Sequence, residues 1–315
     1  MQLLLKLMIK HGAFLLKKLS FIAVFAVIST LFLAFSSCKS IPQVTGRKVE
    51  ALELLDNESS FYIAIPTAAD SDLIERIIKN NVKNISDSDA KMISSHINKV
   101  YCGLNRRKNT IEIQSAIDAS VPVNAIPRVL NSKNGWEKLP FKPEASENKY
   151  IVYNYNDLNM AFPSSSIACI GRGMEYMINK YDSIASLPQE DESICYEVPQ
   201  ELYEYLNSAK NEIRFYANKP QSFLTILTGA QLNLNLIDVK GSFVSDQLHP
   251  NQYILKLHFN FKSEKMLKAG KTLLILAFGL TDSEASVSEG AAGSNELILQ
   301  GIKLDKQQLY KLLVL

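Results

Sequence analysis

The chain changes its hydrophobic period repeatedly, and each change predicts an element. Between Leu19 and Ser37 the run LSFIAVFAVISTLFLAFSS carries no charge and follows Lys17 and Lys18 directly. Basic residues, an apolar run and then small residues form a secretory signal, with Met8 a second possible start. Kept in place, the same run is long enough to be an anchor nearly spanning a ~30 Å hydrocarbon core. Residues 38–60 mix Pro42, Gly46, Asn57 and Ser with a brief apolar patch from Leu52 to Leu55, the pattern of a tether.

From Phe61 on, the pattern is that of a folded body. Phe61 to Pro66 is an aromatic and β-branched run ended by proline, a strand. Asp70 or Ser71 caps a helix whose Leu73, Ile74, Ile77 and Ile78 share one face, and Ser86 to Asp89 start another through Met92 and Ile93. Val100 to Leu104 and Thr110 to Ile117 read as a hairpin, and Pro122 and Pro127 leave only a short helix before Leu130. Tyr150 to Tyr155, Leu158 to Phe162 and Ile167 to Ile170 read as strands. A helix over Met174 to Tyr181 and another over Pro199 to Lys210 follow.

The second half repeats the order. Ile213 to Ala217 is a strand, Pro220 opens a helix, and Leu236 to Val244 pairs with Gln252 to Phe261. The latter strand alternates Tyr253, Leu255, Leu257, Phe259 and Phe261 on one face. Ser263 caps a helix from Glu264 to Phe278. A Ser- and Gly-rich loop leads to a strand from Glu296 to Ile302, and Asp305 caps the last helix. Strand, helix, hairpin, helix, strand, helix thus occurs twice, which suggests an internal duplication. The expected class is α+β: two similar lobes, 61–198 and 199–315, each an antiparallel sheet with helices packed on one face. They follow a signal over 1–37 and a tether over 38–60.

Composition narrows the function classes. With 315 residues, 47% hydrophobic and 21% charged, the chain is neither disordered nor fibrous. The net charge of +2 owes its sign to Lys6, Lys10, Lys17 and Lys18 in the leader, so the body is slightly acidic overall. That body lacks the basic footprint of a nucleic-acid partner.

At the end of the apolar run, Phe35-Ser36-Ser37-Cys38 sets two small residues before a cysteine and polar residues after it. The stretch resembles the lipobox of bacterial lipoproteins. Phe35 stands where an aliphatic residue is usual, a looseness like that of spirochaete lipoboxes. The resemblance implies that a diacylglyceryl group joins the Cys38 thiol and that the signal is cut before it. The whole chain looks like a bacterial lipoprotein. Membrane partnership through acylated Cys38 and a place in the cell envelope, outside the cytoplasm, follow from it.

Beyond Cys38 no constellation carries chemistry. Cys102 and Cys169 read as small buried hydrophobes, and with Cys195 they leave an odd thiol. His96, His249 and His258 have no partner at metal-ligand spacing, so no metal is expected. Gly171-Arg172-Gly173 opens a helix as a dinucleotide loop does, but Tyr176 replaces the third glycine and no cofactor is expected. Ser88-Asp89-Ala90-Lys91 and Ser146-Glu147-Asn148-Lys149 match S-x-x-K without its companion motifs. The acids Asp87, Asp89 and Glu190 to Glu192 are clusters without a cleft, and no catalytic residue is nominated. The expectation is a non-enzymatic binding or scaffold lipoprotein whose partner is an envelope protein. The alternatives are a carrier of an apolar ligand or lipid, suggested by the strand from Tyr253 facing the helix from Met266, and an envelope hydrolase.

Overall fold

Alternation on both sides of a central strand sets the architecture. The first half supplies β1 (Phe61–Pro66), α1 (Ser71–Asn81), α2 (Asp87–Ser95), β2 (Ile97–Arg107), β3 (Thr110–Ala119) and a short α3 (Ile126–Val129). It continues with β4 (Glu137–Phe141), β5 (Tyr150–Tyr155), β6 (Leu158–Ala161), β7 (Ile167–Gly171) and α4 (Met174–Ala185). Then follow α5 (Gln200–Asn207), β8 (Ile213–Ala217), α6 (Pro220–Thr228), β9 (Leu236–Ser245) and β10 (Gln252–Phe261). The last elements are α7 (Glu264–Ala277), β11 (Ser286–Glu289), β12 (Glu296–Asp305) and α8 (Lys306–Leu313). The computed structural model describes residues 46–313 except 57–58, 83–84, 108–109, 122–125, 145, 157, 172–173, 189–198, 229–231, 233 and 279–284. The signal, Cys38 and the boundary expected at 198 lie outside the described residues.

The class is α+β with a large antiparallel sheet. Its twelve strands run β11-β12-β10-β9-β8-β1-β2-β3-β7-β6-β5-β4. The two expected lobes share this one sheet, because β1 pairs with β8, Ile63 opposite Phe215 and Phe61 opposite Ala217. Outward from that pair the order is β1-β2-β3-β7 on one side and β8-β9-β10-β12 on the other, each with its hairpin in the middle. Gly301 makes the extra residue of a bulge in β12, between the pairs Leu255 with Ile302 and Lys256 with Gln300. Its φ of 84° is one that glycine adopts without strain.

Helices cover both faces of the middle of the sheet. Phe61, Ile63 and Ile65 of β1 point into one core, with Phe215, Phe243 and the Tyr253 to Phe261 series. This first face is covered by α1, α2, α6, α7 and α8. Tyr62 and Ala64 point into a second core, with Tyr101, Cys169 and residues of α4 and α5. Helices on one face, as expected, describes β10 and β12 under α7 and α8. The first half carries them on both because β1, β2 and β3 are apolar on both sides.

The expected tether is a packed part of the body from Gly46 on. Val49, Ala51, Leu52, Leu54 and Leu55 are buried in the second core, within and beside a 3-10 turn at Ala51–Leu54. Arg47 N–H donates to Leu187 O at 3.0 Å. A Cβ on Gly46 would collide with the backbone oxygens of Ala185 and Leu187, so the chain lies directly against the end of α4. The apolar patch at Leu52 has no period of its own and is ordered only by what it packs against.

Candidate functional site

Those residues marked for chemistry that the structure describes are placed apart and put to structural use. Cys38 and Cys195 lie outside the described residues, as do Arg172, Gly173 and the acids 190–192. Cys169 is fully buried in the second core, and burial pushes its thiol far up. Burial also pushes the Cys102 thiol up to about 11, against a hydrogen bond from Ser115 Oγ at 3.2 Å. Thiols so shifted stay protonated and are poor nucleophiles at neutral pH. His258 Nδ1 meets Glu296 Oε1 at 2.8 Å on the sheet, His249 Nδ1 meets Asp246 Oδ2 at 2.9 Å in a turn, and His96 ends α2. Among the described residues no three His, Cys, Asp or Glu side chains are grouped to hold a metal.

The S-x-x-K serines and the paired acids are also used locally. Ser86, the cap of α2, accepts from Asp89 N–H and donates to the Asp89 carboxylate at 2.7 Å, with Ser88 Oγ 3.0 Å away. Asp87 pairs with Lys79 at 2.8 Å. Ser146 Oγ accepts from Asn148 N–H in a turn. Gly171 sits where a Cβ would collide with Ile113 O, a packing reason for glycine that needs no nucleotide.

Three buried polar clusters lock elements together. Asp70 caps α1 by accepting from Leu73 N–H at 2.9 Å, and its other oxygen meets Tyr253 OH and Lys306 Nζ, both at 2.7 Å. Burial works against the Asp70 charge, but the bonds from Lys306, Tyr253 and Leu73 outweigh it and hold the carboxyl below its usual range. Asp182 Oδ1 accepts from Tyr150 OH at 2.7 Å and from Asn148 at 2.8 Å. Arg47 and Glu53 form a buried pair at 2.7 Å, and Glu53 also accepts from Glu50 N–H at 2.8 Å. Each carboxylate accepts from at least two fixed donors, as a structural group does.

What the fold leaves free is surface. On α7, Leu267, Gly270 and Leu274 face the core, and a Cβ on Gly270 would collide with the Phe261 ring. Helix and sheet are therefore in direct contact along this line. Met266, Leu273 and Leu276 lie on the outer side, with Leu273 46% and Leu276 72% exposed. Sequence reasoning missed this stripe. Its signal was Leu273-Leu274-Ile275-Leu276, four apolar residues in a row that cannot all face one core.

The matching family model carries the description "Outer membrane-associated lipoprotein TP0453" and covers residues 46–310. The chain belongs to this family. It is therefore a lipid-anchored protein of the bacterial cell envelope. Its fold is also that of solved TP0453 structures. Crystal form I matches with a TM-score of 0.62 at 19% identity, over 85% of this chain and 97% of that one. Crystal form III gives 0.61 at 18% and crystal form IV 0.60 at 17%, each over 85% of this chain and 98% of the other. No curated protein matches. The family match begins at residue 46, where the described body begins.

Proposed function

We propose that this envelope lipoprotein is acylated at Cys38 and works by binding or scaffolding, without catalysis, through its surface. The observation that carries the reading is α7, a helix apolar on both sides, whose outer stripe of Met266, Leu273 and Leu276 has no partner in the core. Among the described residues, Asp87, Asp89, Cys102, Cys169, His249 and His258 are engaged in packing, capping and pairing. A carrier with its ligand between β10 and α7 has less support, since Tyr253, Leu255, Leu257, Phe259 and Phe261 are fully buried and Gly270 touches Phe261.

Two measurements test this. Intact mass and lipid labelling of membrane-extracted protein, beside Cys38→Ala, should show a chain that begins at acylated Cys38 and labelling lost in the variant. An unlabelled chain that keeps residues 19–37 would overturn the acylation. Leu273→Gln with Leu276→Gln should lower binding of an apolar fluorescent probe without lowering the melting temperature. Unchanged probe binding would discard α7 as the surface, and labelling of the purified protein by a serine- or cysteine-directed activity probe would overturn the non-catalytic reading.

A further inference from the structure

Beyond β8 the second face of the sheet has no core of its own. The second core takes no residue from β9, β10 or β12, and the helices packed on those strands, α6, α7 and α8, lie on the first face. Register decides what the bare face presents. One row across β8, β9, β10, β12 and β11 reads Arg214, Ser242, Lys256, Gln300 and Ser286. Every position of that row carries a hydrogen-bond donor and none a carboxylate. Lys240 faces His258 in the next row, and Asp238, Asn260 and Glu296 make the one after it.

The carboxylates of these rows are met from within the face. Glu296 Oε1 lies 2.8 Å from His258 Nδ1, and Asp238 accepts from Asn260 at 3.5 Å and from Tyr216, with the charge of Lys240 nearby. Arg214 is also engaged, by Glu212 at 2.7 Å and by Tyr205 O and Ser208 Oγ at the end of α5. Lys240 and Lys256 are different. Both are exposed, and neither forms an ion pair among the described residues. Lys240 Nζ lies 5.9 Å from the centre of the Tyr205 ring, which positions the ammonium without neutralising it. The two lysines are diagonal neighbours on adjacent strands, about 7–8 Å apart at the backbone. Alternate side chains of an extended chain are about 7 Å apart, so carboxylates at positions i and i+2 of a docked strand match both.

We propose that the open face of β9, β10 and β12 docks an extended acidic segment of a partner protein, whose alternate carboxylates pair with Lys240 and Lys256 while Gln300 meets its backbone. The inference rests on the binding reading above and gives that reading a partner chemistry. From β8 to β11 is four strand spacings, and from Asp238 to Val244 six residues, a field about 20 Å each way. Its area of about 400 Å² is half of what each side of a standard interface contributes, so the face suits one segment and not a second copy of the chain. The amides of Asn260 and Gln300 and the half-buried Ile298 lie among the charges, and the body is slightly acidic overall. A phosphate polymer would need a continuous basic surface instead.

The test titrates full-length protein, in non-ionic detergent at low salt, into a short fluorescein-labelled peptide of alternating Glu and Thr and reads anisotropy. The same peptide with Gln for Glu is the control. Lys240→Gln with Lys256→Gln should weaken binding of the Glu peptide about fivefold. A charge-matched pair elsewhere on the body, Lys133→Gln with Lys265→Gln, should leave it unchanged. All these lysines are exposed, so the melting temperature should stay at the parent's value in both variants. Equal binding of the Gln peptide, equal loss in both variants, or no binding of the Glu peptide overturns the proposal. Tighter binding of a labelled oligothymidylate also overturns it, by making the face a phosphate site. The apolar probe on α7 judges the binding reading separately. A silent peptide with that probe still bound overturns this face alone, whereas silence of both overturns the binding reading with it.

Discussion

The two sides of the β1–β8 seam have the same strand order and different clothing. Along β1-β2-β3-β7 both faces carry core residues, under α1 and α2 on one side and α4, α5 and the docked residues 46–55 on the other. From β9 through β12 one face lies under α6, α7 and α8, while the other carries Lys240, Val244, Ile254, Lys256 and His258. The strand order repeats outward from the seam. What differs is the parity of apolar residues within the strands. Tyr62 with Ala64, and Tyr101 with Cys169, make the second face of the first half a core, whereas their counterparts beyond the seam are polar or half exposed. One topology can thus supply a two-sided packing unit and a one-sided sheet, and the open face lies on the same side as the docked residues 46–55.

The harshest way to break the comparison is to empty the seam. Phe215 is fully buried, stacks with Phe61 of β1 and packs at a tilt against Phe223 of α6 and Phe243 of β9. Phe215→Ala should cost about 3–5 kcal/mol. Urea unfolding followed by Trp136, in the first half, should shift together with near-ultraviolet signals of the second half. Independent transitions would show that the halves are separate folding units. Next in size, Glu53→Gln removes the charge that Arg47 meets at 2.7 Å and should cost about 3 kcal/mol. Hydrogen exchange should show protection lost over residues 49–55 and kept in β10 and β12. Equal loss in both would mean that the extra cover of the first half stabilises the whole sheet.

Asp70 tests the seam by pH, because it joins α1 of the first half to β10 and α8 of the second. Its carboxyl is held below the unfolded value near 4, so its contribution is fully present above that value and is lost as pH falls through the folded one. Asp70→Asn should therefore cost about 2 kcal/mol at pH 7, and the gap to the parent should narrow below about pH 4. A gap constant down to pH 2 would mean that the Lys306 pair carries none of the effect.

Much of this was readable from pattern. Phe61–Pro66, Gln252–Phe261 and the caps Asp70, Ser86, Ser263 and Asp305 stand where period and cap chemistry put them. β4 and β11 were not readable, since Glu137–Phe141 contains Pro140 and Ser286–Glu289 is almost wholly polar. Both are edge strands ordered by one neighbour each, β5 and β12. The docking of residues 46–55 was hidden for a similar reason: Leu52 to Leu55 become core only because the second face of β3 and the side of α4 are there to receive them. Long-range pairing also decides that the halves share a sheet, since nothing local in Ile213 to Ala217 names β1 as its partner. The stripe on α7 was in the sequence as apolar residues, but only the fold tells inward from outward.

The smallest effect is expected on the open face, and it has the opposite sign. Asp238 of β9 lies there, and burial raises its pKa, against hydrogen bonds from Asn260 and Tyr216 and the charge of Lys240. A carboxyl raised in the folded state disfavours its own charge, so stability declines as pH rises from the unfolded pKa near 4 through the folded one. Asp238→Asn removes the charge and keeps the shape. It should stabilise the protein by less than about 1 kcal/mol at pH 7, with the gain vanishing below pH 4. On the closed side of the seam the same change at Asp70 is costly, because there the charge is met by a lysine, a phenol and a helix N-terminus. If Asp238→Asn instead destabilises as Asp70→Asn does, the face beyond β9 is as tightly built as the cores of the first half, and the contrast between the two sides of the seam falls.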